Sequence, residues 1–511
     1  MRDVCKDFNF FQSQWAGDKI AIKDYSYNKS YTYKELYERA EKLAGFLVYD
    51  MGLKKGDCIA FCSRNSIAYF DAFFACTLTG IILTTYNHMY KSSEMLELMH
   101  NENPKVLFLD SDLADRIDFY QRNTHIKQVV ILHDKIEDEL HYSSIMSKKN
   151  KKLLEHTPVQ YEDILMYIHT GGTTGIPKAA MLSYRSIIAN AVSESVSFGL
   201  NHDDIAYLFL PLFHTGGWNV FGIPTLLLGG RLIISKTFSP QLALQVIEEE
   251  KVTVGVAVPT VFRLLTEHEK FEETDFSSVR WLIVGAAPPD YEVSKKFSKR
   301  GIVITNAYGM TEVGPNNIAP PVHVMSHEEI FKRWDSVGKP MCLNDVKIIR
   351  EDGSRVEADE IGELCFRGPQ LFSGYLNRPS ETKDVLIDGW VHTGDIARQD
   401  AEGFIYVEGR IKNMMIVGGE NVFPLEIENF ILRFPGVKDI CVFGTKNRKW
   451  GEVPKAIITV NEENFNMEQL KKYINDNLAG VKRPKTIQVV HKIPKNSLGK
   501  VDYRTVHEMY D

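Results

Sequence analysis

The stretch YIHTGGTTGIPKAAMLSY, residues 167–184, decides how this chain is read. Three glycines, three threonines, one proline and one lysine fall between Thr170 and Lys178, with an apolar run on either side. Glycines let backbone approach a ligand and turn its N–H groups toward it. Thr170, Thr173 and Thr174 add hydroxyls, and Lys178 adds a cation. A nucleotide phosphate is the obvious guest. Yet the spacing G-x-x-x-x-G-K-[ST] is missing, because Lys178 follows Pro177 and Ala179 stands where a hydroxyl would bind magnesium. A P-loop GTPase or kinase fails on that count. Composition alone favours a plain Gly/Thr-rich surface turn, so the rest of the chain has to decide.

Outward from this loop, short apolar runs alternate with turns and helical patterns. YTYKELYERAEKLAGFLVYDMG places Leu36, Ala40, Leu43 and Leu47 on one helical face, with Gly52 as the expected C-cap. SIAYFDAFFACTLTG predicts a helix ending near Gly80. CIAFC, IILTT, KVLFLD, QVVILH, ILMYIH, RLIIS, TVGVAV, VRWLIVG and IVITNAYG predict strands. This alternation predicts α/β sheets over roughly the first 330 residues. After SVGKP the texture changes: DVKIIREDG, GELCFRG and GFIYVEGR predict short antiparallel strands with tight turns. From near Arg410 a compact α+β unit of about one hundred residues follows. Its helices are PLEIENFILRFPGV and NMEQLKKYINDNLA, and its strands are DICVFGT, PKAIITV and KTIQVVHKI.

The totals narrow the class. A chain of 511 residues is too long for one core. A formal net charge of −7 argues against a nucleic-acid binder. Seven scattered cysteines form no C-x-x-C pair, which suggests neither a disulfide framework nor a zinc site and fits a reducing cytoplasm. MRDVCKDFNFFQSQW has no long apolar core, so no signal peptide is expected. The uncharged stretches Ala72–Tyr90 and Ile205–Gly230 carry threonines, prolines and glycines, and are expected as buried core and not as membrane spans.

Four further motifs accompany the loop: NAYGMTEVG (306–314), VHTGDIA (391–397), GRIKNMMIVGGENVFPLEIE (409–428) and PKNSLGKVDYR (494–504). Each alone is weak. In this order and at these distances, the set resembles the adenylate-forming enzymes: acyl-CoA synthetases, adenylation domains of peptide synthetases and firefly luciferase. The resemblance covers essentially the whole chain.

It implies an α/β fold: a large N-terminal domain of two α/β sheets plus a small β-barrel, residues 1–409, and a small mobile α+β domain, residues 410–511. It implies a two-step reaction, in which a carboxylate attacks the α-phosphorus of Mg-ATP to give acyl-AMP and pyrophosphate, and a thiol then displaces AMP. Gly171, Gly172, Thr173, Thr174 and Gly175, with Thr170 and Lys178, would wrap the outer phosphates and release them as pyrophosphate. A flexible loop suits that task better than a rigid cradle. Thr311 would bond the α-phosphate, and Glu312, with Thr174, would hold Mg2+, which prefers hard oxygen ligands. Tyr308 would lie against adenine, with Asn306, Ala307 and Gly309 beside it and the turn Gly285, Ala286, Ala287 in support. Asp395 would accept both ribose hydroxyls, as an acceptor-only carboxylate can. Arg410 matches the arginine near the ribose, and Lys500 the lysine that bridges carboxylate and α-phosphate, where a cation stabilises developing charge.

The departures are few. Gly172 stands where many members carry serine, Ala179 where glycine is common, and Gly409 where aspartate is frequent. Lys412 occupies the position resembling the family hinge.

PLFHTGGWNVFG (211–222) resembles the segment lining the acyl pocket. Amino-acid adenylating domains usually carry Phe-Asp there, the aspartate holding the substrate ammonium; here it is Phe213–His214. Burying an ammonium without a counter-charge is costly, which disfavours an amino acid. His214, Trp218, Phe221 and Val258 are the expected wall for a fatty or aryl tail. The Gly418–Gly419 turn resembles the CoA-ligase form and would line a pantetheine tunnel after rotation about Lys412. Lys482, Arg483 and Lys485 are candidates for CoA phosphates, although a charge run is more often a solvated face. The expected activity is an AMP-forming carboxylic acid–CoA ligase using ATP, Mg2+ and coenzyme A, acting as a monomer or homodimer. The alternative acceptor is a carrier protein supplied in trans.

Overall fold

The structure, a computed structural model, describes residues 7–148, 157–170, 177–285, 291–461, 464–495 and 501–511. Two compact units emerge. One comprises Met1–Trp334, Gly338–Asp345 and Arg367–Val391; the other comprises Asp335–Val337, Val346–Phe366 and His392–Asp511.

The first unit is built on two seven-stranded sheets of the same design. In one, Leu140–His141, Gln128–Leu132, Val106–Asp110, Cys58–Cys62, Ile82–Thr85 and Ile164–Thr170 run parallel. Lys178–Ser183 closes the edge antiparallel to Ile164–Thr170. In the other, Val303–Asn306, Trp281–Val284, Val254–Ala257, Ile205–Leu208, Arg231–Ile234 and Ile20–Asp24 run parallel, and Lys29–Thr32 closes the edge antiparallel. The parallel strands are buried nearly end to end, as a sheet covered on both faces requires.

Local signals set the helices. Tyr33–Gly45 starts at Thr32, whose hydroxyl accepts from Glu35 N while the Glu35 carboxylate accepts from Thr32 N. Ile67–Thr79 ends at Gly80 in the left-handed conformation, as the sequence predicts. Its thirteen residues are all buried, Asp71 among them with its carboxylate paired to Arg39 at 2.6 Å, so the uncharged run that begins at Ala72 lies in the core. No helix among the described residues is long and apolar enough to cross a membrane.

One buried acid stands out in this unit. Glu194, in the helix Tyr184–Ser197, is 0% exposed; its Oε2 accepts from the Asn316 amide at 3.4 Å, and its Oε1 has no partner among the described residues. Burial pushes its carboxyl well above the ordinary carboxylate range. The folded state therefore holds the proton more tightly than the unfolded chain. Glu194 favours folding fully below the unfolded value of 4.5, and that contribution is lost as pH rises toward the folded value. Glu194→Gln is expected to raise the melting temperature at pH 8 by about 2–4 °C for each kcal/mol relieved. The gain should shrink toward pH 4, and equal shifts at both pH values would mean the charge is not the cause.

In the second unit, Trp390–Gln399 pairs antiparallel with Ile405–Arg410, within the strands expected as a small barrel. Chain farther on forms a five-stranded sheet centred on the long hairpin Val437–Asn447/Gly451–Val460. The helices Pro424–Leu432 and Met467–Asn477 pack their apolar faces on it through Ile427, Ile431, Leu470 and Ile474.

Candidate functional site

The Gly/Thr loop bridges two antiparallel strands, Thr170 facing Lys178 in register. A Walker loop leads from strand to helix, so the backbone separates the two as clearly as spacing does. Gly171, Gly172, Thr173, Thr174 and Gly175 lie outside the described residues, as do Ala286, Ala287 and Lys500.

Parallel strands explain how residues far apart in sequence meet. Ligands of open α/β sheets bind beyond the carboxyl ends of the strands, where the strand order switches direction. In the second sheet the chain steps from Ile205–Leu208 to Arg231–Ile234 on one side and to Val254–Ala257 on the other. His214 follows the first of these strands, Val258 the third, Gly285 the strand Trp281–Val284, and Ala307 and Tyr308 the strand Val303–Asn306. The register keeps these ends level: Leu208 faces Val256, Ala257 faces Val284, and Val284 faces Asn306. Gly285 N donates to Ala257 O at 3.1 Å, and Ala307 N to Val284 O at 3.3 Å. His214, Val258, Gly285 and Tyr308 are all partly exposed at this edge.

Beyond Tyr308 the chain turns tightly through Tyr308–Met310, a 3-10 turn at Thr311–Val313, and Gly314–Ala319. A Cβ on Gly309 would sit 2.3 Å from the Pro315 carbonyl oxygen, so only glycine fits there. Thr311 and Glu312 are held buried, at 7% and 4% exposure. The Tyr375 hydroxyl donates to Glu312 Oε1 at 2.5 Å, and the Lys178 ammonium lies 4.8 Å from the centre of the Tyr375 ring. Lys178, Tyr375 and Glu312 thus form one chain of contacts. Tyr375 lies outside every motif quoted above. Its partner Glu312 is 63 residues away, and no local pattern signals such a bond.

Trp218 and Phe221 are spent differently from His214. Both are 0% exposed. The Trp218 ring packs on Phe70 and Phe73, at centroid distances of 5.2 and 5.4 Å, and its Nε1 donates to Leu212 O at 2.6 Å. Phe221 packs on Trp281 and Phe198. The segment from Pro211 to Gly222 gives its histidine to the strand-end edge and its two large rings to the core.

In the second unit Asp395 lies inside the strand Trp390–Gln399, not in a turn between short strands as Thr-Gly-Asp suggests. It is 4% exposed, faces Arg410 in register, and accepts from Arg410 Nε at 2.8 Å. Glu363 braces the preceding residues: its Oε1 accepts from Gly394 N at 3.0 Å, and its Oε2 pairs with His392 Nδ1 at 2.8 Å. Thr393 Oγ1 donates to Leu364 O and accepts from Asp395 N. Glu363, Cys365 and His392 offer three donor atoms within 4.8 Å of one another, a set that could hold a soft metal ion. Both Glu363 oxygens are already engaged, however, and burial pushes the Cys365 thiol up to about 12, away from the thiolate a metal binds. The group is better placed as a brace for the Asp395 segment.

Lys412 lies exposed in the 3-10 turn Ile411–Asn413. Gly418 and Gly419 form the two-residue turn of the hairpin Met415–Val417/Glu420–Val422, both with positive φ, as a type I′ turn demands. A Cβ on Gly418 would also meet the Trp450 ring at 2.7 Å. Two of the three basic side chains are engaged within their own unit: Lys482 pairs with Glu426 at 2.6 Å, and Arg483 Nε donates to Leu478 O at 2.7 Å, while Lys485 is exposed.

Comparison with known proteins gives a consistent result. The model of the AMP-binding enzyme family matches residues 11–376, and that of the AMP-binding enzyme C-terminal domain matches residues 426–500. A feruloyl-CoA synthase from Amycolatopsis sp is 31% identical over 471 residues, covering 92% of this chain and 92% of that protein. A long-chain-fatty-acid–CoA ligase from Escherichia coli O157:H7 is 29% identical, covering 93% and 90%. Among solved structures, ATP-bound MatB from Rhodopseudomonas palustris aligns over 100% of this chain and 99% of its own, with a TM-score of 0.90 and 26% identity.

Proposed function

The chain belongs to the family of AMP-binding enzymes, and we propose that it is an ATP-dependent ligase joining a fatty or aryl carboxylic acid to coenzyme A. A carboxylate oxygen forms a bond to the α-phosphorus while the bond from that phosphorus to the bridging oxygen breaks, releasing pyrophosphate. The thiol sulfur of coenzyme A, having lost its proton, then bonds to the acyl carbon, and AMP leaves.

The observation that carries the reading is the convergence of Gly285, Asn306 and Tyr308 on one sheet edge, with Thr311 and Glu312 buried just beyond. Tyr308 offers its ring to adenine and Thr311 its hydroxyl to the α-phosphate. Glu312 is a hard oxygen donor of the kind magnesium takes, and that ion would neutralise phosphate charge. Lys178 would meet the outer phosphates. Asp395 takes the ribose hydroxyls, held in line by Arg410 and Glu363. Lys500 is assigned to the reacting carboxylate and α-phosphate. His214 and Val258 form the accessible acyl wall, with Trp218 and Phe221 packed behind.

The division at 409/410, with Lys412 as pivot, falls in the stretch between the two family-model matches. Gly418 and Gly419 present a surface without side chains, suited to pantetheine. Six described cysteines are free thiols, in keeping with work in the cytoplasm.

The test is AMP release with Mg-ATP and coenzyme A across fatty, branched, aryl and amino acids, with products weighed by mass spectrometry. CoA-dependent release with one fatty or aryl class is expected. Pyrophosphate exchange without acyl-CoA would move the assignment to a carrier-protein acceptor, and a preference for amino acids would overturn the reading of His214.

A further inference from the structure

Both ends of Glu312 are held by one short segment, Phe372 to Leu376. Phe372 N donates to the backbone oxygen of Glu312 at 3.0 Å, and the Tyr375 phenol donates to its carboxylate at 2.5 Å. The segment is itself fixed along the strand Lys178–Ser183. Ser373 N donates to Met181 O at 2.8 Å, Met181 N to Gly374 O at 2.9 Å, and Leu376 N to Ala179 O at 2.9 Å, with Tyr375 facing Ala180. Tyr375 N donates to the Thr382 hydroxyl at 2.9 Å. The ring is 6% exposed, so the phenol has one well-defined position.

We propose that Tyr375 is a positioning residue for the adenylation step, fixing the plane of the Glu312 carboxylate so that it meets a divalent cation in one orientation. The proposal rests on the ligase reading for the task of Glu312, not for the contact itself. The last torsion of a glutamate is broad and nearly two-fold, so an unheld carboxylate turns freely. A charge-assisted O–H···O bond of this length stops that rotation. Lys178 reinforces it, because a cation on the π face draws electron density from the ring and strengthens the phenol as a donor. One strap thereby joins the lysine that ends the Gly/Thr loop to the acid at the other sheet's edge.

Tyr375→Phe removes the hydroxyl and keeps the ring, its packing on Phe372 and its face toward Lys178. Mn2+ binding in the presence of ATP, followed by electron paramagnetic resonance, is the readout. The variant is expected to bind Mn2+ about tenfold more weakly, while AMP binding in metal-free buffer stays within about twofold of wild type. Its deficit in adenylation rate should close as Mg2+ is raised. In a Glu312→Gln background the same change should cost no further Mn2+ affinity. Unchanged Mn2+ affinity, an equal loss in that background, or an equal loss of metal-free AMP binding would each overturn the proposal, the last by marking a packing role. Should the wild-type protein make no acyl-CoA from any acid, the ligase reading falls, and the Mn2+ titration still decides the role of Tyr375.

Discussion

Glu312→Gln is expected to lower acid-dependent AMP formation by about 10²–10³-fold, the loss typical of removing one preorganised electrostatic group from a reacting centre. The substitution is nearly isosteric. The Gln carbonyl can still accept from Tyr375, and the backbone oxygen still accepts from Phe372 N, so the local fold should survive. What disappears is a negative charge in a site with 4% exposure, where water cannot replace it. A cation bound to phosphate would lose a ligand, and its help to the departing pyrophosphate would weaken with it. The split between half-reactions makes the test sharp. Pyrophosphate exchange should collapse, whereas transfer from added acyl-AMP to coenzyme A should continue, since that step releases no pyrophosphate. Melting temperature should stay close to wild type. If pyrophosphate exchange persisted within about fivefold, Glu312 would be an ordinary buried acid satisfied by Tyr375.

Much of the frame was legible because its signals are local. Thr32 and Glu35 bracket a helix start, and Gly80 marks a helix end, each within a few residues. The sheets were legible as apolar runs, but their pairing was not. Nothing in Ile164–Thr170 says that Lys178–Ser183 returns antiparallel while its other neighbour runs parallel. Thr-Gly-Asp reads as a turn by composition, yet all three residues lie within the strand Trp390–Gln399, and Asp395 faces Arg410 across the ladder. Trp218 and Phe221 looked like pocket walls because apolar residues serve core and pocket alike; the aromatic residues of the helix Ile67–Thr79, far away in sequence, claim Trp218. The sequence offers Lys482 and Arg483 as candidates for phosphates but gives no sign that Glu426 and the Leu478 carbonyl are their partners within the unit. Tyr375 and Glu363 escaped notice because they act on residues 63 and 31 positions away. Motif order names the candidate site residues, and long-range hydrogen bonding shows what holds Glu312 and the Asp395 segment.

Asp395→Ala is expected to raise KM for ATP about a hundredfold or more, because two charge-assisted hydrogen bonds to ribose are lost at once. The Asp395 carboxylate is acceptor-only, 4% exposed and paired with Arg410, and its backbone is fixed by the Thr393 hydroxyl on its own N–H and by Glu363 on the N–H of Gly394. Little ordering then remains to be done when a nucleoside arrives. Loss of the Arg410 pair alone cannot explain a hundredfold effect: that guanidinium is 43% exposed, and pairs so open to water contribute about 0–1 kcal/mol. A sugar analogue separates the two causes. Wild-type protein should prefer ATP over 2′-deoxy-ATP by about tenfold or more, one hydrogen bond's worth. In Asp395→Ala that preference should vanish, because the partner of the missing hydroxyl is gone from the protein side as well. Undiminished discrimination between the two nucleotides would place the ribose elsewhere. Asp395 and Arg410 would then be a strand-to-strand ion pair in the interior of a sheet.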